Sequence, residues 1–476
     1  MRILLINPPF LSNINFEHIS PPIGLGYLAS VLLNAGHQVS ILDAALGVRR
    51  RISKNRHYIG MDWEDIGKYV KQSKPHIAGI SCPFTSRFEY AKRTVEIVRR
   101  NAPSAKIVMG GVHPSVAPEQ VMKESGVDFA IAGEGENVLL NLVSALDKKE
   151  DYENIRGLSF RKDKDVVINR ELDLSMDLDS IPHPARDLMD MESYIEQPVA
   201  RWSWKKNRQT SVFTSRGCPQ KCTFCAVHHI NSRKWRGRSA QNVVEELEIL
   251  KREYHIDSIA FEDDNLTADR KRMREICRLI LEKDLKFTWC TPNGVAIDTL
   301  DRELLKLMKE SGCAMLNLAV ESGDEHILRD VMQKRLILDH VREIAYMCRE
   351  LGIAANAYFV IGMPGETENS LQRSLDFAVS LPLKSIGVFI ATPFPGTELY
   401  KWCLEKGYID VKNYQKQFYD EPDNSMLHKA LIETPVMSRQ RIEWWEKRFN
   451  KEFWKHQYRF NPFLRFKVIA AKVLKA

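Results

Sequence analysis

Long apolar runs are missing from this sequence of 476 residues. No stretch approaches the roughly 20 apolar residues of a membrane-spanning helix. The amino terminus offers only the apolar run Ile3–Ile6, which is too short for a secretory signal. Cysteine is also scarce, since nine residues in a chain of this length do not build a disulfide scaffold. We therefore expect a cytoplasmic protein, in which clustered cysteines more commonly bind metal.

Most of the chain carries no excess of positive charge. The formal net charge is +7, but residues 439–476 contain eleven Lys or Arg and three Glu, so the rest of the chain carries −1. This distribution argues against a nucleic-acid-binding surface on the body of the protein. We expect no nucleic-acid partner.

The carboxyl-terminal segment 439–476 interleaves Trp, Phe and Tyr with Lys and Arg at helical spacings. Basic amphipathic helices of this kind lie at anionic membrane surfaces. The same pattern also suits a helix that packs on the preceding domain and exposes its basic face to solvent. We expect peripheral contact with the inner face of the membrane through 439–476, and with it a hydrophobic or lipid-like substrate.

Five short apolar runs alternate with helical patterns between residues 1 and 148. This alternation predicts an α/β domain with a flavodoxin-like doubly wound parallel sheet, whose ligands bind at the carboxyl ends of the strands. The loops at those ends are rich in Gly, Ser and Thr. Such loops let backbone N–H groups approach a large polar ligand, although the same residues also form ordinary turns. The candidate contact residues are Asp43, Ser81, Thr85, Gly110, Gly111, Gly133 and Glu134.

The remainder of the chain divides into three parts. Residues 149–205 contain charged and proline-bearing stretches and are predicted to be a linker with a small hairpin. Between residues 206 and 400, six strand-and-helix units in series predict a (β/α)6 partial TIM barrel, whose chemistry collects at the carboxyl ends of its strands. Residues 401–476 are predicted to form a helical, basic and aromatic carboxyl-terminal tail.

Three cysteines form the pattern CxxxCxxC on the loop that leaves the first barrel strand: Cys218, Cys222 and Cys225. Thiolates at this spacing ligate three irons of a 4Fe-4S cluster, and with no fourth cysteine nearby one iron keeps an open position. The six other cysteines are scattered singly. A zinc site that adds His228 or His229 also fits the ligand types, and it would make the chain a zinc-stabilised binding module.

This loop, with Phe224 directly before the third cysteine, resembles that of the radical S-adenosylmethionine (SAM) enzymes. The resemblance extends over about 190 residues, through Ala260–Asn265, Leu318–Gly323 and Tyr358–Thr367 at the ends of later barrel strands. It implies that the 4Fe-4S cluster binds SAM. The residues that it implies as SAM contacts are Phe224, Glu262, Asp263, Asp264, Glu321, Ile361 and Gly362. The two aspartates also precede a helix, so a capping role competes with this assignment.

The first domain is similar to the cobalamin-binding domain of the cobalamin-dependent radical SAM subclass, in the stretches Pro21–Ala29, Gly110–Pro114 and Gly133–Glu136. The resemblance implies that cobalamin binds to the seven candidate residues at the strand ends. The DxHxxG signature, which supplies an axial histidine in other cobalamin proteins, is absent, because Asp43 is followed by two alanines. We expect no lower cobalt ligand from that signature.

Together the two resemblances imply a radical SAM enzyme that activates a C–H bond, with a 4Fe-4S cluster, SAM and cobalamin as cofactors. The implied reaction is methylation of an unactivated carbon, and the implied partner is an external one-electron reductant of flavodoxin or ferredoxin type. An anaerobic oxidative cyclase of the porphyrin-cyclase type is an alternative with the same domain order. Asn293 and Tyr358 either line the substrate cavity or pack within the barrel.

Overall fold

The computed structural model describes residues 1–12, 19–53, 56–195, 208–415 and 429–460. The strands of the first half are β1 (Arg2–Asn7), β2 (Phe10–Ser12), β3 (Gln38–Asp43), β4 (Val48–Ser53), β5 (Arg56–Gly60), β6 (Ile77–Ser81), β7 (Lys106–Gly110), β8 (Phe129–Ile131), β9 (Leu158–Lys162) and β10 (Asp165–Ile168). The helices of this half are α1 (Ile23–Asn34), α2 (Trp63–Ser73), α3 (Phe88–Asn101), α4 (Val112–Val116), α5 (Pro118–Glu124), α6 (Gly135–Lys148) and α7 (Met191–Ile195).

Five parallel strands form the centre of the first sheet, in the order β3-β1-β6-β7-β8. Alternate side chains of β1 pack on opposite faces, with Leu4 and Ile6 against α2 and α3 and with Ile3 and Leu5 against α1 and α6. Burial of both faces requires strands that are apolar throughout, as the sequence has them. The strand order confirms the predicted flavodoxin-like doubly wound sheet and places all of its carboxyl-end loops on one rim.

The hairpin of β9 and β10 extends the first sheet, because β9 pairs antiparallel with β8. The segment that follows it contacts both halves of the chain. Tyr194 donates a hydrogen bond to Asp43 of the first sheet, and buried Arg186 bonds to Glu246 of the barrel at 2.8 Å. The stretch predicted as a linker is therefore built into both units over its described part.

The sequence does not predict a second, three-stranded antiparallel sheet with the order β2-β5-β4. Its edge strand β4 carries the three consecutive arginines Arg49–Arg51, so apolar and polar residues do not alternate there. On the opposite edge, Phe10 of β2 forms part of the wall of a large cavity beside the first sheet.

The second half of the chain forms a separate six-stranded parallel sheet. Its strands and the short pair beside it are β11 (Gln209–Val212), β12 (Ser215–Arg216), β13 (Arg236–Gly237), β14 (Ser258–Phe261), β15 (Thr288–Val295), β16 (Cys313–Glu321), β17 (Ala354–Ile361) and β18 (Ser385–Ile390). The helices are α8 (Ala240–Tyr254), α9 (Arg270–Glu282), α10 (Arg302–Glu310), α11 (Leu338–Glu350), α12 (Glu368–Ser380), α13 (Glu398–Glu405), α14 (Val411–Gln415) and α15 (Arg439–Phe460). The order β11-β14-β15-β16-β17-β18, with a helix after each strand, confirms the (β/α)6 partial barrel.

Side-chain caps define where five helices of this half begin. In each, a Ser, Thr or Asp side chain accepts a hydrogen bond from the N–H group three residues farther along, which satisfies one free donor of the first turn. The capping residues are Ser239, Asp269, Asp301, Thr367 and Thr397. Because Asp269 caps α9, the aspartates Asp263 and Asp264 do not have the capping role that the sequence leaves open.

Helix α15 packs against β18 and α12 and contributes its aromatic face to the barrel core. Trp445, Phe449 and Phe453 are at most 1% exposed. Arg441 bonds to Glu368 of α12 at 2.6 and 2.7 Å. Trp445, Phe449 and Phe453 thus pack on the preceding domain. Residues 461–476, the rest of the segment predicted to contact a membrane, lie outside the described residues. Among the helices in the described ranges, none has the length and apolar character needed to cross a membrane.

The neighbouring residues Trp444 and Trp445 test this packing directly. Trp445 is 1% exposed and Trp444 is 43% exposed. We expect Trp445→Ala to lower the free energy of unfolding by about 3–5 kcal/mol because it leaves a cavity in the core. Trp444→Ala, the matched control, should cost below about 1 kcal/mol. Equilibrium unfolding in urea measures both, and equal losses would show that α15 does not pack on the barrel in solution.

Candidate functional site

The three cysteines of the motif lie on the loop between β12 and β13, beyond the carboxyl end of β11. All three are half-buried thiols in the structure. Burial raises the pKa of Cys222 to about 11 and that of Cys225 to about 12, and the other cysteines of the motif contribute to both shifts. A metal that binds these thiols must therefore displace their protons.

No three Cys, His, Asp or Glu side chains in the described ranges converge closely enough to hold a single metal ion. A zinc tetrahedron needs four ligands at one ion, so the structure does not bring together the site that includes His228 or His229. In a 4Fe-4S cluster each thiolate binds a different iron, and the cysteines stand farther apart. The donor set, three thiols on one loop, is of the type that such a cluster uses.

The carboxylate of Asp263 holds the beginning of the cysteine loop. It is buried and accepts hydrogen bonds from the Thr214 backbone N–H at 3.1 Å, the Thr214 hydroxyl at 2.7 Å and the Ser215 hydroxyl at 2.5 Å. The next residue, Asp264, accepts bonds from the Gly217 N–H at 3.1 Å and from the Asn231 side chain at 2.8 Å. The hydrogen bonds of both aspartates therefore stabilise the conformation of the cysteine loop.

The three consecutive carboxylates after β14 point to different places. Glu262 and Asp264 line the large cavity, whereas Asp263 does not. Burial raises the pKa of Glu262 to about 7, with Ser211 as a hydrogen-bond partner at 3.5 Å. Only Glu262 and Asp264 of the three predicted SAM contacts in this stretch are thus open to a ligand in the cavity.

Glu321 ends β16 in a left-handed backbone conformation, with φ of +67°. Its carboxylate bonds to the ammonium group of Lys334 at 3.0 Å, and both side chains are largely buried. Burial raises the pKa of Cys218 and Cys222, and the positive charge of nearby Lys334 opposes that rise. Sequence reasoning missed Lys334 because it lies on a loop outside any motif.

The loop after β17 is held by Glu366. Its buried carboxylate accepts hydrogen bonds from the backbone N–H groups of Gly362 at 2.5 Å and Met363 at 2.9 Å, and burial raises its pKa to about 8. Gly362 has φ of +86°, which favours glycine. Ile361 is buried at the strand end, and Phe224 packs near Met363.

Asn293 and Tyr358, predicted to line the cavity or to pack, both bond to backbone carbonyl groups. The Asn293 amide donates to Glu262 at 2.8 Å, and the Tyr358 hydroxyl donates to Pro292 at 2.5 Å. These contacts connect β14, β15 and β17 at their carboxyl ends. Both residues thus have a packing role.

A cavity of about 650 Å³ lies between the rim of the first sheet and the carboxyl ends of the barrel strands β11 and β14. Of the seven residues predicted on the rim, five line it: Ser81, Gly110, Gly111, Gly133 and Glu134. Thr85 is buried elsewhere. Asp43 is occupied by hydrogen bonds from Asn7 and Tyr194, and neither Thr85 nor Asp43 lines the cavity.

Two glycines of β7 and its loop keep the floor of this cavity open. A Cβ added at Gly110 would meet no atom within 4 Å, so the space directly beside this glycine is open. Gly111 has φ of +117°, and a Cβ there would lie 2.7 Å from the Cys82 carbonyl oxygen. No histidine occurs among the cavity-lining residues that the structure describes. The glycine floor fits a large, flat polar ligand such as cobalamin.

Comparisons with known proteins agree with this geometry. The chain matches the model of the radical SAM superfamily over residues 212–378 and that of the B12 binding domain over residues 12–143. Cytidylyl-2-hydroxyethylphosphonate methyltransferase from Streptomyces wedmorensis is 32% identical over 446 residues, with 86% of this chain and 83% of the relative covered. Anaerobic magnesium-protoporphyrin IX monomethyl ester cyclase from Rubrivivax gelatinosus is 26% identical, with 89% and 73% covered.

Solved structures share the fold. The radical SAM methyltransferase TsrM from Kitasatospora setae, solved with cobalamin and a [4Fe-4S] cluster bound, superimposes with a TM-score of 0.69 at 19% identity. The match covers 84% of this chain and 76% of that one.

Proposed function

This chain belongs to the family of cobalamin-dependent radical SAM methyltransferases, and from that premise we propose that it methylates an unactivated carbon of a hydrophobic small molecule. Its cofactors are a 4Fe-4S cluster, SAM and cobalamin. The observation that carries the proposal is the single cavity shared by the glycine rim of the first sheet and the barrel mouth. A substrate there would lie between the proposed cobalamin residues of the rim and the proposed SAM partners Glu262 and Asp264.

The described residues fit each cofactor. Cys218, Cys222 and Cys225 are the proposed cluster ligands, and Asp264 and Glu262 are the proposed partners of the SAM amino group. Lys334 is a cation suited to the SAM carboxylate, and Glu321 is the proposed ribose contact. Ile361 and Gly362 offer an apolar strand end to the adenine, beside Phe224. For cobalamin we propose Ser81, Gly110, Gly111 and Gly133.

When bound, the cofactors supply a methyl group and a 5′-deoxyadenosyl radical that removes hydrogen from the substrate. Each methylation would consume two SAM molecules. One would donate the methyl group and leave as S-adenosylhomocysteine. The other, after uptake of one electron and of the substrate's hydrogen atom, would leave as methionine and 5′-deoxyadenosine. An external reductant of flavodoxin or ferredoxin type is the proposed source of electrons. The chain's own part is to hold these groups and to exclude water.

The ratio of the two SAM products tests the proposed reaction. The protein is reconstituted anaerobically and supplied with pools of lipids, porphyrins and nucleotide-linked phosphonates. Methylation predicts that an active pool raises 5′-deoxyadenosine and S-adenosylhomocysteine by equal amounts. The identity to the magnesium-protoporphyrin cyclases favours cyclisation as the second candidate, which predicts 5′-deoxyadenosine without S-adenosylhomocysteine.

Replacement of Lys334 tests the proposed SAM contacts. Lys334→Gln should weaken SAM binding at least about 30-fold, because truncating one partner of a buried charge pair costs about 2–5 kcal/mol. Lys334→Arg should recover part of the loss. Equilibrium dialysis with labelled SAM measures binding, and iron content shows whether the cluster remains. Lys283→Gln, which removes an ion pair with Glu248 on the outer helices, is the control. An unchanged SAM affinity in Lys334→Gln would remove Lys334 from the site.

A further inference from the structure

The cysteine loop is bracketed by a short pair of strands that touches the first half of the chain. β12 and β13 pair antiparallel, with Arg216 opposite Arg236. Arg216 stands two residues before Cys218, so its side chain is attached almost directly to the cluster-binding loop. Gly217 between them has φ of +85°, and a Cβ there would lie 2.6 Å from the Lys234 carbonyl oxygen, so the loop is closely packed at this point.

Both arginines reach across to the loop that begins α6. Arg216 Nη2 bonds to Glu136 Oε1 at 2.6 Å, and Arg216 Nη1 bonds to Glu136 Oε2 at 3.1 Å and to Glu134 Oε2 at 3.0 Å. Arg236 bonds to the other oxygen of Glu134. The guanidinium of Arg216 also lies over the ring of Tyr27 from α1, 5.6 Å from its centroid.

These charges are removed from solvent. The side chains of Glu134 and Glu136 are each 7% exposed, and those of Arg216 and Arg236 are 16% and 13% exposed. A buried ion-pair group of this kind adds little net stability compared with apolar residues of the same volume. Its two-pronged geometry instead fixes distance and orientation, which an apolar contact does not do.

The group connects the two sides of the cavity. Glu134 follows Gly133 on the rim of the first sheet and lines the cavity with it, and Arg216 lines the cavity from the barrel side. A shift of one side relative to the other would change the gap in which a substrate must sit between cobalamin and SAM. A misplacement of about 1 Å in a bound reactant can lower a rate on the order of 100-fold.

We propose that Arg216 is a positioning residue, whose paired contacts with Glu136 and Glu134 set the separation between the cobalamin side of the cavity and the cluster-binding loop. The inference rests on the proposed function only for its consequence in methyl transfer, because the separation itself is a property of the fold. Arg216 acts through Cys218 and Gly133 and not by contact with the reacting atoms.

The test compares Arg216→Gln, Arg216→Lys and the control Arg274→Lys in the full chain loaded with cluster and cobalamin. Arg274 bonds to Asp301 at 2.7 Å between α9 and α10, away from the cavity. The first readout is the spin relaxation of cob(II)alamin in the presence of the reduced cluster, which depends steeply on the separation of the two paramagnets. The second readout is the rate at which the labelled methyl group of SAM enters the cobalamin fraction.

We expect Arg216→Gln to change the relaxation rate at least twofold and to slow label transfer about 10-fold or more. Arg216→Lys should recover part of both, and Arg274→Lys should match the wild type. Unchanged relaxation in Arg216→Gln, with iron and cobalamin retained, would overturn the proposal. An equal change in Arg274→Lys would overturn it too, since the effect would then come from general loosening.

Glu136→Gln covers the case in which Arg216→Gln fails to fold. It keeps the contact of Arg216 with Glu134 and should give a smaller change in the same direction, whereas wild-type relaxation in this variant would contradict the proposal. If wild-type protein transfers no label, the proposed function fails, but the relaxation readout still decides the role of Arg216.

Discussion

Cys222→Ala should abolish 5′-deoxyadenosine release and lower the iron content of anaerobically reconstituted protein from about four per chain to near zero. Cys222 lies between the two other thiols of the motif, and its replacement leaves two ligands for a cluster that needs three. We expect at least a 1,000-fold drop in 5′-deoxyadenosine formation, because without the cluster no electron reaches SAM. Iron analysis and chromatography of the SAM products measure the two effects.

Cys403→Ala is the matched control for this prediction. Cys403 is a buried thiol packed among apolar side chains such as Leu399 and Ile409. Its replacement should leave iron content and 5′-deoxyadenosine formation near the wild-type values. Undiminished 5′-deoxyadenosine release from Cys222→Ala would contradict radical chemistry at this loop.

Gly110→Trp should release cobalamin while the iron–sulfur cluster remains. Gly110 lines the cavity, and a Cβ placed there meets no protein atom within 4 Å, so we expect the indole ring of a tryptophan to extend into the ligand space. We expect cobalamin affinity to fall at least about 100-fold, equivalent to roughly 3 kcal/mol. Absorbance of the protein-bound cobalamin after gel filtration measures the loss, and iron analysis shows that the barrel is intact.

Gly110→Ala distinguishes two effects of the tryptophan variant: blockage of the cobalamin site by the side chain, and the loss of the backbone flexibility of glycine. A methyl group at this open position should leave cobalamin binding within about twofold of the wild type. Retention of cobalamin by Gly110→Trp would show that the cofactor does not bind in this cavity.

The sequence alone predicted the two sheets because both consist of parallel strands buried on both faces. Such strands appear as short continuous apolar runs, and their loops must meet on one rim. The five rim residues that line the cavity follow from this rule. Asp43 also ends a parallel strand, but its carboxylate accepts a hydrogen bond from Tyr194 of a helix far along the chain. No residue near Asp43 in the sequence indicates that contact.

The sequence does not indicate in which direction an individual side chain points. Glu262, Asp263 and Asp264 are consecutive, yet Asp263 points into the protein to hold Thr214 while its neighbours face the cavity. Lys334 and Arg216 acquire their roles from partners that stand 13 and 80 residues away, at Glu321 and Glu136. Such pairs depend on tertiary packing and have no spacing signal.

The carboxyl-terminal helix shows a third limit of prediction from the sequence. A basic helix with an aromatic face is compatible with an anionic membrane surface and with a barrel core, because both accept the same apolar stripe. In the structure, Trp445 and Phe449 are buried in the barrel core. This packing depends on the apolar surfaces of β18 and α12, which cannot be read from the sequence of residues 439–460 alone.

In the proposed function, SAM and cobalamin meet across one cavity of this chain. Methyl transfer between the two cofactors tests this directly and needs no substrate. Reduced protein loaded with cluster and cobalamin is incubated anaerobically with SAM carrying a trideuterated methyl group, and the cobalamin fraction is examined by mass spectrometry. Methyl transfer across the cavity should place one deuterated methyl group on cobalamin for each S-adenosylhomocysteine released. S-adenosylhomocysteine without labelled cobalamin, or no transfer at all from the loaded protein, would contradict it.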